Sequence, residues 1–279
     1  MTKKILIPTD GSAYGKVAIE YGIYVARKLD AQLLGLHVLD IRLMQGPVIT
    51  DVSGSVGLPP YQEFIPVLES GLEERADAIL DAFFRQCEEG GIHPEVKKTI
   101  GLIDEAIIEE GQKADWILLA QRGDHIHIGK GGLLGTTAEA VVRNAGKPVM
   151  VTPAVFREIE SMGLAYDGSP PARHALRLAV EISREAGWPL TAIVVTDDHR
   201  LGATLTTEVE SSIDASGIDG DVVILRGKEE VQIIRYIQQG AIELMVMGAY
   251  GHNRLRELLL GSTTSFIIRR STIPVLLTR

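Results

Sequence analysis

The chain repeats itself, and the repeat fixes how many units it can fold into. The segment KKILIPTDGS at 3–12 returns as SMGLAYDGS at 161–169. Farther along each half, an apolar run leads into a loop punctuated by glycine. That loop closes on Gly135-Thr136-Thr137 in the first half and on Gly261-Ser262-Thr263 in the second. A short run carrying Pro-Val follows, at Pro148-Val149 and Pro274-Val275. Asp10 and Asp167 stand 157 residues apart, as do Val38 and Val195, whereas Gly101 and Gly227 stand 126 apart, as do Gly135 and Gly261. The second copy is shorter by the difference, 31 residues, lost between Val38 and Gly101. A period this long is a tandem duplication of whole domains, not a solenoid of small units. Two domains are expected, 1–154 and 160–279, each long enough to bury its own core.

The hydrophobic pattern sets the class of each unit. Ile5-Leu6-Ile7 is an apolar run of the kind buried on both faces of a parallel sheet. It stops at Thr9-Asp10-Gly11-Ser12, a turn and helix cap. Val17, Tyr21, Val25 and Leu29 recur every four residues, which predicts an amphipathic helix over 13–29, followed by a strand at 32–39. In the second half Ser169 is a good N-cap, and Pro170 takes the first helical position, where its missing N–H is harmless. Ala175, Ala179 and Ile182 mark the buried stripe ahead of a strand at 190–196. Residues 40–66 are rich in Gly, Pro and Ser and read as a loop. Leu72, Ala76, Ile79, Phe83 and Cys87 form a helical stripe stopped by Gly90-Gly91, replaced in the second half by a shorter helix near Leu205, Val209 and Ile213. Third strands at 96–100 and 222–225, helices at 103–112 and 229–239, and fourth strands at 116–120 and 244–247 come next. Helices starting at Gly135 and Gly261 lead to last strands at 148–152 and 274–278. Alternating strands and helices predict an α/β fold, a parallel sheet with helices on both faces and right-handed crossovers. Ligands of such sheets sit at the carboxyl ends of the strands, where Asp10, Asp167 and both glycine loops fall.

Bulk composition narrows the partners. Hydrophobic residues at 45% and charged residues at 23% are those of a water-soluble globular chain. A net charge of −9 argues against nucleic acid, which needs a broad basic face, but not against a small anion held by backbone N–H groups. The single cysteine, Cys87, rules out an intrachain disulfide and fits a reducing compartment. No signal peptide and no membrane-spanning apolar run is visible, so a cytoplasmic location is expected.

The chemistry lies in the second glycine loop. It reads Gly248-Ala249-Tyr250-Gly251, then nine residues, then Gly261-Ser262-Thr263-Thr264. Gly248 ends a strand and lets the backbone turn sharply, and Gly251 lets a ligand approach the main chain. Gly261-Ser262-Thr263 opens a helix, whose unpaired N–H groups and dipole favour an anion. The arrangement describes a phosphate site without being a P-loop, since no GxxxxGK[ST] occurs and no GxGxxG follows the first strand.

With these residues in view, the chain resembles tandem members of the universal stress protein family, whose nucleotide-binding branch carries G-2x-G-9x-G-[S/T] after strand four and an Asp closing strand one. Residues 248–262 match that pattern in full, Asp167 supplies the acid, and the resemblance covers nearly the whole chain twice. It implies two tandem Rossmann-like domains, each a five-stranded parallel sheet, binding ATP or a related adenine nucleotide, with or without Mg2+. It assigns phosphate and ribose to Gly248, Gly251, Gly261, Ser262, Thr263 and Thr264. The adenine and ribose side falls to Ala165, Tyr166 and Asp167, and the base to Val195. Family members commonly dimerise through their last strands. The resemblance implies that the two copies pair within one chain, 148–152 beside 274–278, and leaves room for a further homodimer with 40–66 as a candidate contributor.

The first half departs from the pattern. It reads Ala120-Gln121-Arg122-Gly123, with alanine for the first glycine and eleven residues, DHIHIGKGGLL, before Gly135. A second nucleotide site there would use Pro8, Thr9, Asp10, Val38, Arg122, Gly123, Gly135, Thr136 and Thr137, with Lys130 or Arg122 adding positive charge. Alternatively, the insertion fills the crevice. Plainer readings stand beside the sharper ones. Asp10 and Asp167 could simply cap turns. His125 and His127 lack an evident third metal ligand and read as solvated. His37 reads as a packed, hydrogen-bonded side chain and Cys87 as core. Arg254 and Arg256 are surface charges or phosphate contacts. No nucleophile elbow GxSxG and no HExxH occurs, so the chain reads as a nucleotide-binding stress-response regulator, at most a slow ATP hydrolase. The competing reading is an interaction module whose glycine loops are only turns.

Overall fold

The computed structural model of the chain describes residues 3–44, 65–123, 135–249 and 261–278. The first half runs β1 (Lys4–Pro8), α1 (Ala13–Leu29), β2 (Gln32–Asp40), α2 (Ile41–Met44), α3 (Ile65–Glu89), β3 (Glu95–Gly101), α4 (Ile103–Gly111), β4 (Trp116–Ala120), α5 (Thr136–Asn144) and β5 (Val149–Thr152). The second runs β6 (Met162–Ala165), α6 (Pro170–Ala186), β7 (Leu190–Val195), α7 (His199–Ser216), β8 (Gly220–Leu225), α8 (Glu229–Gln238), β9 (Leu244–Gly248), α9 (Ser262–Arg270) and β10 (Val275–Thr278). All strands join one ten-stranded sheet, in the order β3-β2-β1-β4-β5-β10-β9-β6-β7-β8. Within each half the pairings are parallel, as in a Rossmann-like domain. At the middle, β5 and β10 pair antiparallel, with Val275 opposite Val151, Leu276 opposite Met150 and Leu277 opposite Val149. Both of these strands are buried along their whole length, so no sheet edge is left open at the seam.

Alternation along each strand feeds two core layers, one on each face. Ile5 and Ile7 join α1, α3, α6 and α7 side chains such as Tyr21, Phe83, Ala175 and Val209. Leu6, pointing the other way, joins α4, α5, α8 and α9 side chains such as Ile107, Val141, Ile234 and Ile267. The central strands β1, β4, β5, β9 and β10 are therefore apolar at nearly every position and read as continuous runs, whereas the outermost strand β3, EVKKTIG, does not.

Local chemistry starts the helices where the sequence places them. Gly11 and Gly168 take φ of 79° and 74°, a left-handed turn that suits glycine. The next residue caps the helix: Ser12 Oγ accepts from the Gly15 N–H at 3.0 Å, and Ser169 Oγ from the Ala172 N–H at 3.3 Å. Ser169→Ala should lower the unfolding free energy by about 1 kcal/mol. A drop in urea midpoint at constant slope would register it, and an unchanged midpoint would show the cap to be idle.

One element differs from the reading of 40–66 as a loop. Asp40 closes β2, α2 occupies 41–44 and α3 begins at Ile65. The Asp40 carboxylate accepts from the Arg42 backbone N–H at 3.0 Å and pairs with its guanidinium at 2.6 Å, which starts the turn composition did not reveal. The remainder, 45–64, lies outside the described residues.

The connector between the halves is strapped to α1. The Tyr21 hydroxyl donates to the Val155 carbonyl at 3.2 Å and accepts from the Arg157 N–H at 3.1 Å, while the Tyr24 hydroxyl donates to the Ile159 carbonyl at 2.7 Å. Phe156 meets Tyr21 edge-on, with ring centroids 4.8 Å apart. Lys3 adds a charged tie to Glu181 at 2.8 Å and Glu185 at 2.5 Å on α6.

Candidate functional site

Strand order reverses between β1 and β4, and again between β6 and β9, so each half has one crevice at its strands' carboxyl ends. In the second half Ala165 lies opposite Met247, so the turn leaving β6 stands beside the end of β9. Asp167, Gly248 and the start of α9 thus meet at one crevice mouth. Asp167 Oδ1 accepts from the Ser169 N–H at 2.9 Å, and Asp10 Oδ1 from the Ser12 N–H at 3.0 Å. Both aspartates therefore cap the turn that follows them, at the carboxyl ends of β1 and β6.

Gly248 is required for packing rather than for a sharp turn. It is absent from the glycines with positive φ. A Cβ there would lie 2.8 Å from Pro171 Cβ, 2.9 Å from its carbonyl carbon and 3.1 Å from the Ala172 nitrogen. The first turn of α6 therefore sits directly on the strand end, and the expectation of a turn glycine is corrected on that ground. The counterpart Ala120 faces a helix that opens with Tyr14-Gly15 instead of Pro171-Ala172.

The start of α9 is the electropositive feature. Its N-cap, Gly261, supplies no side-chain acceptor, and its first turn holds no acid. Each other helix among α1 and α4–α9 compensates its N-terminus. Ser12, Ser169 and Asp198 cap α1, α6 and α7, and first-turn acids serve α4, α5 and α8. Among the described residues, then, no cap side chain and no first-turn acid offsets the N–H groups and dipole at the start of α9, a feature that favours an anion. Ser262, in the first turn, is exposed and Thr263 half-buried. Thr264 is 3% exposed, and its hydroxyl donates to the Ala249 carbonyl at 3.2 Å. That bond fixes the first turn of α9 to the end of β9, so Thr264 supports the cradle from behind.

Ala165 and Val195 are half-buried on the α8–α9 side of the sheet. Tyr166 points the opposite way. It is 2% exposed in the α6–α7 layer, its hydroxyl beside the Arg173–Glu208 pair, whose bonds measure 2.6 and 3.1 Å. Burial pushes the Tyr166 hydroxyl well above the usual phenol range, and hydrogen bonding to Arg173 holds Glu208 below the usual carboxylate range. The structure thus separates Tyr166 from the Ala165–Val195 side to which the resemblance assigned it.

The first crevice is built alike with different detail. Gly123 approaches Asp10 so closely that a Cβ would lie 2.5 Å from Oδ2. Gly135 caps α5 without a side-chain bond, and its N–H donates to the Gln121 carbonyl at 2.7 Å. Glu139 in the first turn of α5 partly offsets its dipole, a charge α9 lacks. Thr136 is exposed, while Thr137, Pro8, Val38 and Arg122 are half-buried around the opening. Thr9 is 6% exposed, and its carbonyl accepts from His37 Nδ1–H at 2.8 Å. Cys87 is fully buried, with its thiol pushed up to about 12 by burial. Gly251, Tyr250, Arg254, Arg256, His125, His127, Lys130 and the other residues of 124–134 and 250–260 lie outside the described residues. Among the described residues no cluster of three or more His, Cys, Asp or Glu could hold a metal, and no helix is long and apolar enough to cross a membrane.

Two residues escaped sequence reasoning. Pro171 explains Gly248, as above. Gln121, 9% exposed, sends its side-chain amide across the seam to the Ile268 carbonyl at 2.6 Å and the Ser271 carbonyl at 3.3 Å, at the far end of α9. The available signal was the repeat itself, which sets a polar Gln121 against Ala249 in a strand end that is otherwise apolar.

Comparison with known proteins agrees with this geometry. A model of the universal stress protein family matches residues 1–153 and 206–279. Universal stress protein Slr1230 of Synechocystis sp. is 32% identical over 286 aligned residues, covering 98% of this chain and 99% of its own length. Universal stress protein MJ0531 of Methanocaldococcus jannaschii is 33% identical over 155 residues, 53% of this chain and 81% of that protein. The crystal structure of a universal stress protein from Archaeoglobus fulgidus DSM 4304 shares the fold with a TM-score of 0.77 at 24% identity, covering 99% of this chain and 98% of that one. On the duplicated fold, the paired crevices and these matches, the chain belongs to the universal stress protein family.

Proposed function

We propose that this protein binds ATP or a related adenine nucleotide in its second crevice and acts as a stress-response regulator, not a dedicated enzyme. The observation that carries the reading is the start of α9, an N-terminus with neither cap nor acid, set beside Asp167 and Gly248 at the switch point. Phosphate oxygens would accept from the N–H groups of Ser262 and Thr263 and from their hydroxyls. Asp167 would face the ribose, and Ala165 and Val195 the base. Gly251 keeps the role the resemblance gives it. A chain of net charge −9 can hold an anion this way because the donors are backbone dipoles rather than basic side chains. The first crevice is a possible second site on Asp10, Val38, Gly123, Gly135, Thr136 and Thr137, with Glu139 weakening its pull on phosphate. The antiparallel β5–β10 seam would serve inside one chain as the last-strand pairing that the family resemblance implies between separate chains.

Amide NMR tests the placement. Addition of ATP with Mg2+ should shift the Ser262 and Thr263 resonances in a saturable way. Shifts confined to residues away from both crevices would refute it. Asp167→Ala should weaken ATP by about tenfold, the loss of one hydrogen bond involving a charged group. An unchanged titration would remove Asp167 from the site.

A further inference from the structure

We infer that Gln121, a residue of the first repeat, positions the phosphate cradle of the second, an inference that rests on the nucleotide reading above. The second-repeat cradle opens at the N-terminus of α9, and α9 has nine residues. That helix is about two and a half turns long, so its position is set at both ends, by the Thr264 bond to the Ala249 carbonyl at the start and by whatever holds its C-terminus. Its C-terminal end carries carbonyls that no further helical turn can satisfy. The Gln121 amide donates to two of the carbonyls at that end, those of Ile268 at 2.6 Å and of Ser271, the C-cap residue, at 3.3 Å. Gln121 is itself held at both backbone atoms. Its N–H donates to the Thr152 carbonyl at 3.0 Å, and its carbonyl accepts from the Gly135 N–H at 2.7 Å. The clamp therefore runs from the frame of the first crevice, through β5's last residue, to the helix that serves the second. Glu139 on α5 reaches Arg269 of α9 at 3.5 Å and ties the same end more loosely.

The clamp acts in one direction. The position equivalent to Gln121 is Ala249, which has no side chain to hold the far end of α5. Its N–H makes the matching bond to the Thr278 carbonyl at 2.8 Å, while its carbonyl accepts from the Thr264 hydroxyl at 3.2 Å, so the strand-end frame is repeated in part and the amide clamp is not. The Gln121 amide bonds to the C-terminal end of α9 and not to its phosphate-facing start, so its effect on the second crevice passes through the position of that helix.

Gln121→Leu keeps the volume and removes both donors. ATP and adenosine should be titrated into the full-length wild type and variant, well below the unfolding transition, adenosine by competition with a fluorescent ATP analogue. ATP affinity should fall by about three- to tenfold, as expected for a misplaced charge-binding cradle, whereas adenosine, which has no phosphate to misplace, should bind equally to both. Equal ATP affinity in wild type and variant would overturn the inference while leaving the nucleotide site standing. An equal loss for ATP and adenosine would also overturn it, since general damage to the crevice would then suffice. Wild type that binds neither ligand would overturn the nucleotide reading and this inference with it.

Discussion

Gly261→Val is expected to weaken ATP binding at the second crevice by about 100-fold, equivalent to about 2.8 kcal/mol, while the fold stays intact. Both halves of that expectation come from the geometry. Gly261 has φ −54° and ψ 145°, a conformation open to valine. A Cβ there finds Thr264 Oγ1 at 3.5 Å and the Ala249 carbonyl oxygen at 3.8 Å, ordinary contacts. Among the described residues nothing obstructs the added Cβ, and its methyl groups would stand at the mouth of α9. Phosphate oxygens must come within about 3 Å of the backbone nitrogens there to accept hydrogen bonds. Calorimetry on wild type and variant reads the affinity, and urea unfolding confirms equal stability. A valine variant that binds ATP as wild type does would take α9 out of the site.

Gly248→Ala should behave in the opposite manner, losing stability before it loses ligand. The nearest atoms to the added methyl are Pro171 Cβ at 2.8 Å, the Pro171 carbonyl carbon at 2.9 Å and the Ala172 nitrogen at 3.1 Å. A proline ring and helix backbone have no rotamer to give way, so the first turn of α6 must move off the sheet. Overpacking of this kind typically costs about 1–3 kcal/mol, and a fall of that size in unfolding free energy is the expected readout. The movement would also disturb Ser169 and the Asp167 turn, so weaker ATP binding should accompany it. Unchanged stability would show that α6 seats itself elsewhere in solution and that Gly248 serves some purpose other than packing.

Much of the fold was legible because its signals are local or repeated. Ile5-Leu6-Ile7 is apolar at every position because both faces are covered. The Asp-Gly-Ser turns announce themselves through one left-handed glycine and one capping hydroxyl. The duplication then doubled each of these signals. What could not be read depends on contacts between distant segments. Tyr166 is one residue from Asp167 in sequence, yet a strand alternates faces, and its ring belongs to the α6–α7 layer. Thr264 looked like one more phosphate hydroxyl, but its partner is the Ala249 carbonyl 15 residues earlier. Gln121 and Ile268 are 147 residues apart, and only the antiparallel seam brings them within a hydrogen bond. The loop expected at 40–66 failed at its start for a smaller reason, an aspartate that caps the turn after it.

The most direct test of nucleotide binding is a calorimetric titration of ATP with Mg2+ into the full-length protein, after any nucleotide carried through purification has been identified and removed. Saturable binding with at least one site per chain is the expected result, and a stoichiometry of two would bring the first crevice into the same function. No binding heat across a temperature series, together with no nucleotide carried through purification, would contradict the site at α9 and leave the glycine loops as turns of an interaction module.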